Sequence, residues 1–402
     1  MNITAIVSLV AGLVGPADGF PAFRMQEIDP HVGNVCYALT SADVDGDGKI
    51  DVVALSEDAV VWYRNPDWAK ATILKGGTEK DNVCIQPHDI DGDGRVDFAI
   101  GAAWRPADTR GGGTLQFLTR TGAPEGAWRL VPVLSEPTLH RIRWGDVAGL
   151  GAKQLVVAPL QGRGTKGPAW NEGAGVRVLV LSPPARPFDE PWKVEVAADT
   201  LHTTHNLQLV DTDADGRDEI LISAWEGVFQ LDRDPSGRWT TTKLGDGEQA
   251  TTPFKGTSEI KQGRLDAAGR RYLATIEPWH GTKVVVYLPK GDGPLERRVI
   301  DEPVQWGHGV WCADLDGNGI DDLIIGQRDK APESARGLRG PGVYVYEPRV
   351  VDGAISFTRR VIDDGGVAVE DLIAVDLDGD RRPEIVAGGR ATHNVRIYWN
   401  GK

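Results

Sequence analysis

Two sets of residues in this 402-residue chain have types and spacings suited to holding cations. The more conspicuous is an acidic, glycine-studded loop that recurs along the whole length. It reads Asp43-Val-Asp45-Gly-Asp47-Gly-Lys-Ile-Asp51, then Asp89-Ile-Asp91-Gly-Asp93-Gly-Arg-Val-Asp97. It returns as Asp211-Thr-Asp213-Ala-Asp215-Gly-Arg-Asp-Glu219, as Asp314-Leu-Asp316-Gly-Asn318-Gly-Ile-Asp-Asp322, and as Asp376-Leu-Asp378-Gly-Asp380-Arg-Arg-Pro-Glu384. Oxygen donors at positions 1, 3, 5 and 9 around a tight glycine turn are what a hard cation such as Ca²⁺ requires. The loop at Asp376 is expected to bind more weakly, because Arg381 stands where glycine does elsewhere. Two further copies, beginning at Asp146 and Arg264, keep the turn but lose most of the acids, and are expected not to bind.

The elements that carry these loops follow from their spacing. Seven copies, starting at 43, 89, 146, 211, 264, 314 and 376, make a repeat architecture. Each loop lies between two short apolar runs, and two more runs follow before the next loop. In the third repeat these are Leu139–Val147, Gln154–Ala158, Val176–Leu181 and Trp192–Ala197; in the fourth, Asn206–Val210, Glu219–Ala224, Val228–Leu231 and Trp239–Leu244. They are rich in Val, Ile, Leu and aromatics and bounded by Gly, Pro and Asp, which reads as strands. Four strands in each of seven repeats predict an all-β, seven-bladed β-propeller occupying residues 20–402. An EF-hand would need flanking helical periodicity, and none is present. The seventh repeat lacks a fourth strand. Phe23-Arg-Met-Gln-Glu-Ile-Asp29 has the pattern of the outer strands Phe357–Asp363 and Glu296–Asp301, so it is expected to supply that strand and close the ring.

A propeller brings the starts of its innermost strands to one mouth, on the face opposite the acidic loops. Counting about six residues back from each loop gives Tyr37, Val83, His140, His205, Ser258, His308 and Glu370. Three of the seven are histidine, in a chain with only eight. A single histidine at such a place would be read as a satisfied polar residue. Three at one ring position predict a divalent ion of the Zn²⁺, Mn²⁺ or Mg²⁺ kind, held by His140, His205 and His308 with Glu370 as a fourth ligand or its partner. The returning strands bring a second polar set: Glu57, Asp58, Arg105, Gln161, Arg163, Glu226, His280, Arg328, Arg390 and His393. With Trp104, Trp144, Trp225, Trp279 and Trp306 nearby, this ring suits a polyhydroxylated, keto-bearing or anionic small saccharide. About half of the thirteen tryptophans are expected to pack between blades instead.

A formal charge of −14 argues against nucleic acid as a partner. About five bound Ca²⁺ would offset roughly ten of those charges. Ile3–Val14 is too short to span a bilayer; it has the pattern of a secretory signal, without a basic n-region, ending near Ala17 or Gly19. Export to the periplasm or exterior is therefore expected. Cys36, Cys84 and Cys312 fall on predicted inner strands and read as buried thiols rather than a disulfide or a nucleophile. There is no G-x-S-x-G, P-loop, Cys-His zinc pattern or Rossmann fingerprint.

The acidic repeats resemble the FG-GAP (VCBS) repeats of integrin-like propellers, from about residue 40 to 390. Adhesion modules and enzymes share that scaffold, so it implies a fold and not an activity. Four segments carry a narrower resemblance: Thr138-Leu-His140-Arg-Ile-Arg-Trp-Gly, His202-Thr-Thr-His205-Asn, Glu277-Pro-Trp-His280-Gly-Thr-Lys-Val-Val-Val-Tyr287 and His308-Gly-Val-Trp-Cys-Ala-Asp314. They are similar to the propeller of the aldos-2-ulose dehydratase family, which removes water from keto-sugars such as 1,5-anhydrofructose and carries a divalent metal. The resemblance implies that His140, His205, His280 and His308 share one active-site constellation. The cupin-type domains that follow the propeller in that family are not expected in this sequence, which is a departure from the family's pattern.

Two readings follow. One is a metal-dependent carbon–oxygen lyase, in which His280 accepts a proton near neutral pH and Arg105, Arg163 or Arg328 orients the ligand. The other is a non-catalytic, calcium-stabilised propeller that binds glycans or protein partners. Oligomeric state is not legible in the sequence.

Overall fold

Strand-forming runs pair locally into seven four-stranded antiparallel sheets. The computed structural model describes residues 19–120, 122–291, 293–302, 304–330 and 340–401. Residues 1–18, on which the export signal is expected, lie outside the described residues. Among the described residues the regular elements are all strands, and no helix is long and apolar enough to cross a membrane. The first blade is typical: Cys36–Ala42, Asp51–Ser56, Ala59–Arg64 and Ala69–Lys75, in that order from inside to outside. The inner strands of the next five blades are Cys84–His88, Leu139–Gly145, Leu207–Val210, Lys261–Arg264 and Gly307–Ala313, and that of the seventh is Val369–Val375.

Phe23–Asp29 pairs antiparallel with Val395–Asn400, in register Phe23↔Asn400 through Asp29↔Val395, as the outermost strand of the seventh blade. The Ile-Asp ending shared by the outer strands has a physical reason. The carboxylate accepts a hydrogen bond from a buried tyrosine of the following blade: Tyr63 donates to Asp29 (2.5 Å), Tyr346 to Asp301 (3.0 Å) and Tyr398 to Asp363 (2.9 Å). Each such bond contributes about 1–3 kcal/mol, because the acceptor is charged and the hydroxyl buried. The Tyr63–Asp29 bond is therefore the same latch, set where Phe23–Asp29 completes the seventh blade beside the first.

Between blades, the middle strands are fully buried. Val52, Ala54, Ile220, Ile222, Leu323 and Ile325 all have no exposed surface. Sheets buried on both faces need β-branched and aromatic side chains without polar alternation, which is the composition observed. Cys36 and Cys84 are buried free thiols and Cys312 a half-buried one, on inner strands as expected.

Each inner strand ends at one of the seven repeated loops, five of them acidic. In the first loop, Asp43 accepts the N–H groups of Gly46 and Gly48 (2.8 and 2.9 Å), and Asp51 that of Val44 (2.9 Å). The turn needs φ near +80° at its fourth and sixth residues, which Gly46 and Gly48 adopt freely. Ala214 and Arg381 hold the same left-handed angles, at 65° and 72°, at a cost of about 1 kcal/mol each.

Candidate functional site

At the opposite end of the inner strands, four imidazoles from four blades meet on the axis. His140 and His308 sit near the starts of Leu139–Gly145 and Gly307–Ala313; His205 lies two residues before Leu207–Val210. His280 arrives differently, from the loop between Arg271–Glu277 and Lys283–Leu288. It holds φ at 51°, and Trp306 nearby holds 48°. Non-glycine residues in this region cost about 1 kcal/mol or more and persist where the surroundings over-determine them.

The nitrogens of His205, His280 and His308 lie within 4.8 Å of one another. His280 Nε2 is 2.6 Å from His205 Nε2, so one ring donates to the other. His308 Nδ1 is 2.5 Å from the Glu370 carbonyl oxygen, which fixes the proton on Nδ1 and leaves Nε2 as the free lone pair. His205 Nδ1 is 2.8 Å from Glu259 Oε1, off the axis of a well-formed hydrogen bond, while Glu259 also accepts from Asn206. His140 stacks on Trp104 at 4.6 Å and lies 4.6 Å from His205, ring centre to ring centre. Neither nitrogen of His140 has a hydrogen-bond partner, nor has Nδ1 of His280 or Oε2 of Glu370, although all are buried.

Burial drives the titration of this group. His140, His280 and His308 are held well below the ordinary imidazole range by desolvation, reinforced by Arg141 at His140 and by neighbouring imidazoles and Arg328 at the other two. His205 is lowered less, because Glu259 opposes the effect of burial. Neutral imidazoles are the form that binds metal. Three neutral, buried imidazoles that each place a ring nitrogen within 4.8 Å of the others therefore fit a divalent ion, with His205, His280 and His308 as the set of donors.

Glu370 closes one side. It accepts from Arg390 (2.6 Å), lies 3.6 Å from Arg328, and is 3.8 Å from His308 Nε2. Desolvation raises its pKa despite those two arginines. Arg328 stacks over Trp306 at 4.4 Å, and Trp306 in turn stands 5.2 Å from His280.

Some sequence-derived placements shift. His280, expected as the proton acceptor, lies inside the close triad, whereas His140, expected among the metal donors, stands beside it. Arg105 pairs with Glu79 and Asp108, and Arg163 is bidentate to Glu136 (3.0 and 2.6 Å). Of the three arginines, only Arg328 is seen against the cluster. Trp144 is not at this mouth: four residues further along its strand than His140, it packs on His88, Phe117 and Trp192 nearer the acidic loops. Trp104, Trp279 and Trp306 do surround the imidazoles. Glu259 and Arg141 escaped the sequence reading. Each is one residue beyond a position on the predicted ring, and the alternation of a strand would have assigned both to blade packing.

On the other face, the loops beginning at Asp43, Asp89, Asp211 and Asp376 each gather three carboxylates within 4.8 Å. That is about the span across a shell of Ca–O bonds of 2.3–2.6 Å. The loop at Asp314 shows no such group; Asn318 donates to Asp316 instead (2.9 Å). Arg264, the first residue of one weak copy, reaches over to Asp321 (3.3 Å) and Asp314 (3.9 Å), a built-in cation beside that loop. Asp146 keeps the turn alone, accepting from Leu150 and Gly151.

The class defined by this fold is the seven-bladed β-propeller with acidic, FG-GAP-type loops. Residues 43–100 match the FG-GAP-like repeat model, and residues 112–290 match the β-propeller domain of aldos-2-ulose dehydratase. Among characterised proteins, aldos-2-ulose dehydratase of Phanerodontia chrysosporium is 26% identical over 257 residues, 59% of this chain and 27% of that protein. Integrin alpha-IIb of Mus musculus is 26% identical over 174 residues, 37% of this chain and 16% of that one. The chain thus spans about a quarter or less of these relatives. Solved propellers of similar fold include an Agrocybe aegerita lectin that recognises non-reducing terminal N-acetylglucosamine (TM-score 0.52, 14% identity, 92% of this chain and 86% of that one). BBS1N, solved in complex with ARL6DN, is another (TM-score 0.56, 13% identity, 94% and 96%).

Proposed function

We propose that the chain is a metal-dependent carbon–oxygen lyase that dehydrates a keto-sugar such as 1,5-anhydrofructose or a related oxidised saccharide, with Ca²⁺ in its acidic loops as structural ions. The observation that carries this reading is the buried cluster of His205, His280 and His308 with unsatisfied nitrogens beside it. Its support from outside the chain is the match of residues 112–290 to a dehydratase propeller. A divalent ion held by the three imidazoles would supply a Lewis acid for the sugar carbonyl.

The chain's own residues then divide the remaining work. β-Elimination removes a proton from the carbon next to the carbonyl and a hydroxyl from the following carbon, leaving a C=C bond and water. His140, neutral and with both ring nitrogens unpaired, accepts the proton. Glu370, whose carboxyl is biased toward the protonated form, donates to the departing hydroxyl. Arg328, backed by Trp306, orients the sugar and offsets developing negative charge, while the indoles of Trp104 and Trp279 keep water out.

The test is turnover of 1,5-anhydrofructose and a panel of keto-sugars and uronides, with elemental analysis of the same protein. His140→Gln is expected to keep its metal and lose roughly 10²-fold or more in kcat. If metal-loaded wild-type protein eliminates nothing from the panel, the glycan- or protein-binding propeller is the correct reading.

A further inference from the structure

Between the histidine cluster and the acidic loops, the axis widens into a cavity of about 350 Å³ to which all seven inner strands contribute. Its walls are mostly apolar or neutral, but three cations line it: Arg141, Arg143 and Lys261. Arg141 and Lys261 are only 5% and 7% exposed. None of the three has a carboxylate within 4.0 Å among the described residues. Arg141 makes one long contact to the His140 carbonyl (3.5 Å), and Arg143 donates to the Ile142 carbonyl (2.8 Å) and to Asn206 Oδ1 (3.1 Å). Lys261 rests over the Trp311 ring at 4.1 Å.

The nearest acids, Asp371 and Glu259, offset these charges only at longer range, because their oxygens are hydrogen-bonded to other groups. Asp371, the one acid on the cavity wall, accepts the N–H groups of Leu39 (2.9 Å) and Leu372 (3.0 Å). Glu259 is committed to His205 and Asn206. Buried charges left unpaired are costly, and proteins that keep them pair them or bind a counter-ion. Mutual repulsion is visible here: burial, then Arg141, lowers the Arg143 pKa, and burial, then Arg143, brings Lys261 down to about 7. The space is ample, since a liquid water takes about 30 Å³. Ser41, Gln86, Gln208 and Trp311, toward the acidic loops, are half-buried, so the cavity is reached from that face.

We propose that this axial cavity binds a small polyvalent oxyanion, sulfate or phosphate in kind, between Arg141, Arg143 and Lys261. Two guanidinium forks and an ammonium on one volume are the donor set such an anion takes. The site is separate from the histidine cluster and does not depend on the catalytic reading.

The experiment is isothermal titration of full-length protein with sodium sulfate and sodium phosphate, against sodium chloride at matched ionic strength, alongside thermal melts. Saturable binding of one oxyanion per chain, with millimolar or tighter Kd and a melting temperature raised by roughly 3 °C at a hundredfold excess over Kd, is expected. Lys261→Met keeps the stem on Trp311 and is expected to weaken binding at least 10-fold while raising the melting temperature of the anion-free protein. Arg143→Met is a poorer probe because it frees Asn206, which also holds Glu259. Absence of saturable binding in the wild-type protein up to roughly 10 mM anion, or wild-type affinity in Lys261→Met, overturns the proposal. Should Lys261→Met fail to fold, the wild-type titration alone decides.

Discussion

At the acidic face of the disc, each candidate ion site takes its donors from nine consecutive residues of one blade. At the histidine face, one site takes His205, His280 and His308 from three blades more than a hundred residues apart in total span. The two faces therefore stand differently toward the fold. A loop such as Asp43–Asp51 is already turned by its own glycines and its own carboxylate–amide bonds, so an ion there stabilises one blade edge. The histidine cluster exists only once the ring is closed. Metal at the loops should act on stability and metal at the mouth on chemistry, and the two should be separable by experiment.

The sharpest break is expected from His205→Ala. It removes a donor held within 4.8 Å of two others and leaves Glu259 buried without its imidazole. Transition-type metal and turnover are both expected to vanish, while calcium content stays at the wild-type value. Loss of calcium in parallel would mean that the faces are coupled. Next in size is chelation: each calcium bound at a hundredfold excess over Kd contributes about 2.7 kcal/mol, so removing four should lower the melting temperature by roughly 10 °C or more. An unchanged melt in excess chelator would remove calcium from the fold's energetics.

The same contrast explains what the sequence could reveal. Acidic loops are written contiguously, so their number set the blade count, and the shared Ile-Asp ending pointed to Phe23–Asp29 as an outer strand because that Asp is needed by the next blade's tyrosine. His140, His205 and His308 were legible through their common offset from the loops. Which of them an ion would touch was not, because that depends on how far His280 reaches in from a loop held at φ 51°. Arg105 and Arg163 were plausible by position, but their pairing with Glu79 and Glu136 depends on neighbouring loops that no repeat pattern predicts. The axial cations were hidden for a further reason: Arg141, Arg143 and Lys261 occupy strand positions where alternation predicts only packing.

The smallest expected effect concerns pH. In the calcium-free loops that gather carboxylates, burial, against a backbone hydrogen bond, leaves Glu384 at about 7, and burial likewise holds Asp97 at about 6. Unfolded carboxyls titrate near 4. Folded-state values above the unfolded ones mean that the folded chain binds extra protons. That stabilisation is complete below about pH 4 and is lost as pH rises through about 6 to 7. The depressed histidines oppose it at low pH, since the unfolded chain takes up their protons first. A melting curve of the metal-free protein alone would mix the two. The difference between calcium-loaded and calcium-free protein isolates the loops, because calcium favours the deprotonated carboxylates and leaves the mouth untouched. That difference is expected to grow from pH 5.5 to pH 8, with protons released on adding calcium at pH 7. A difference that stays flat across this range would place the calcium donors outside these buried carboxyls.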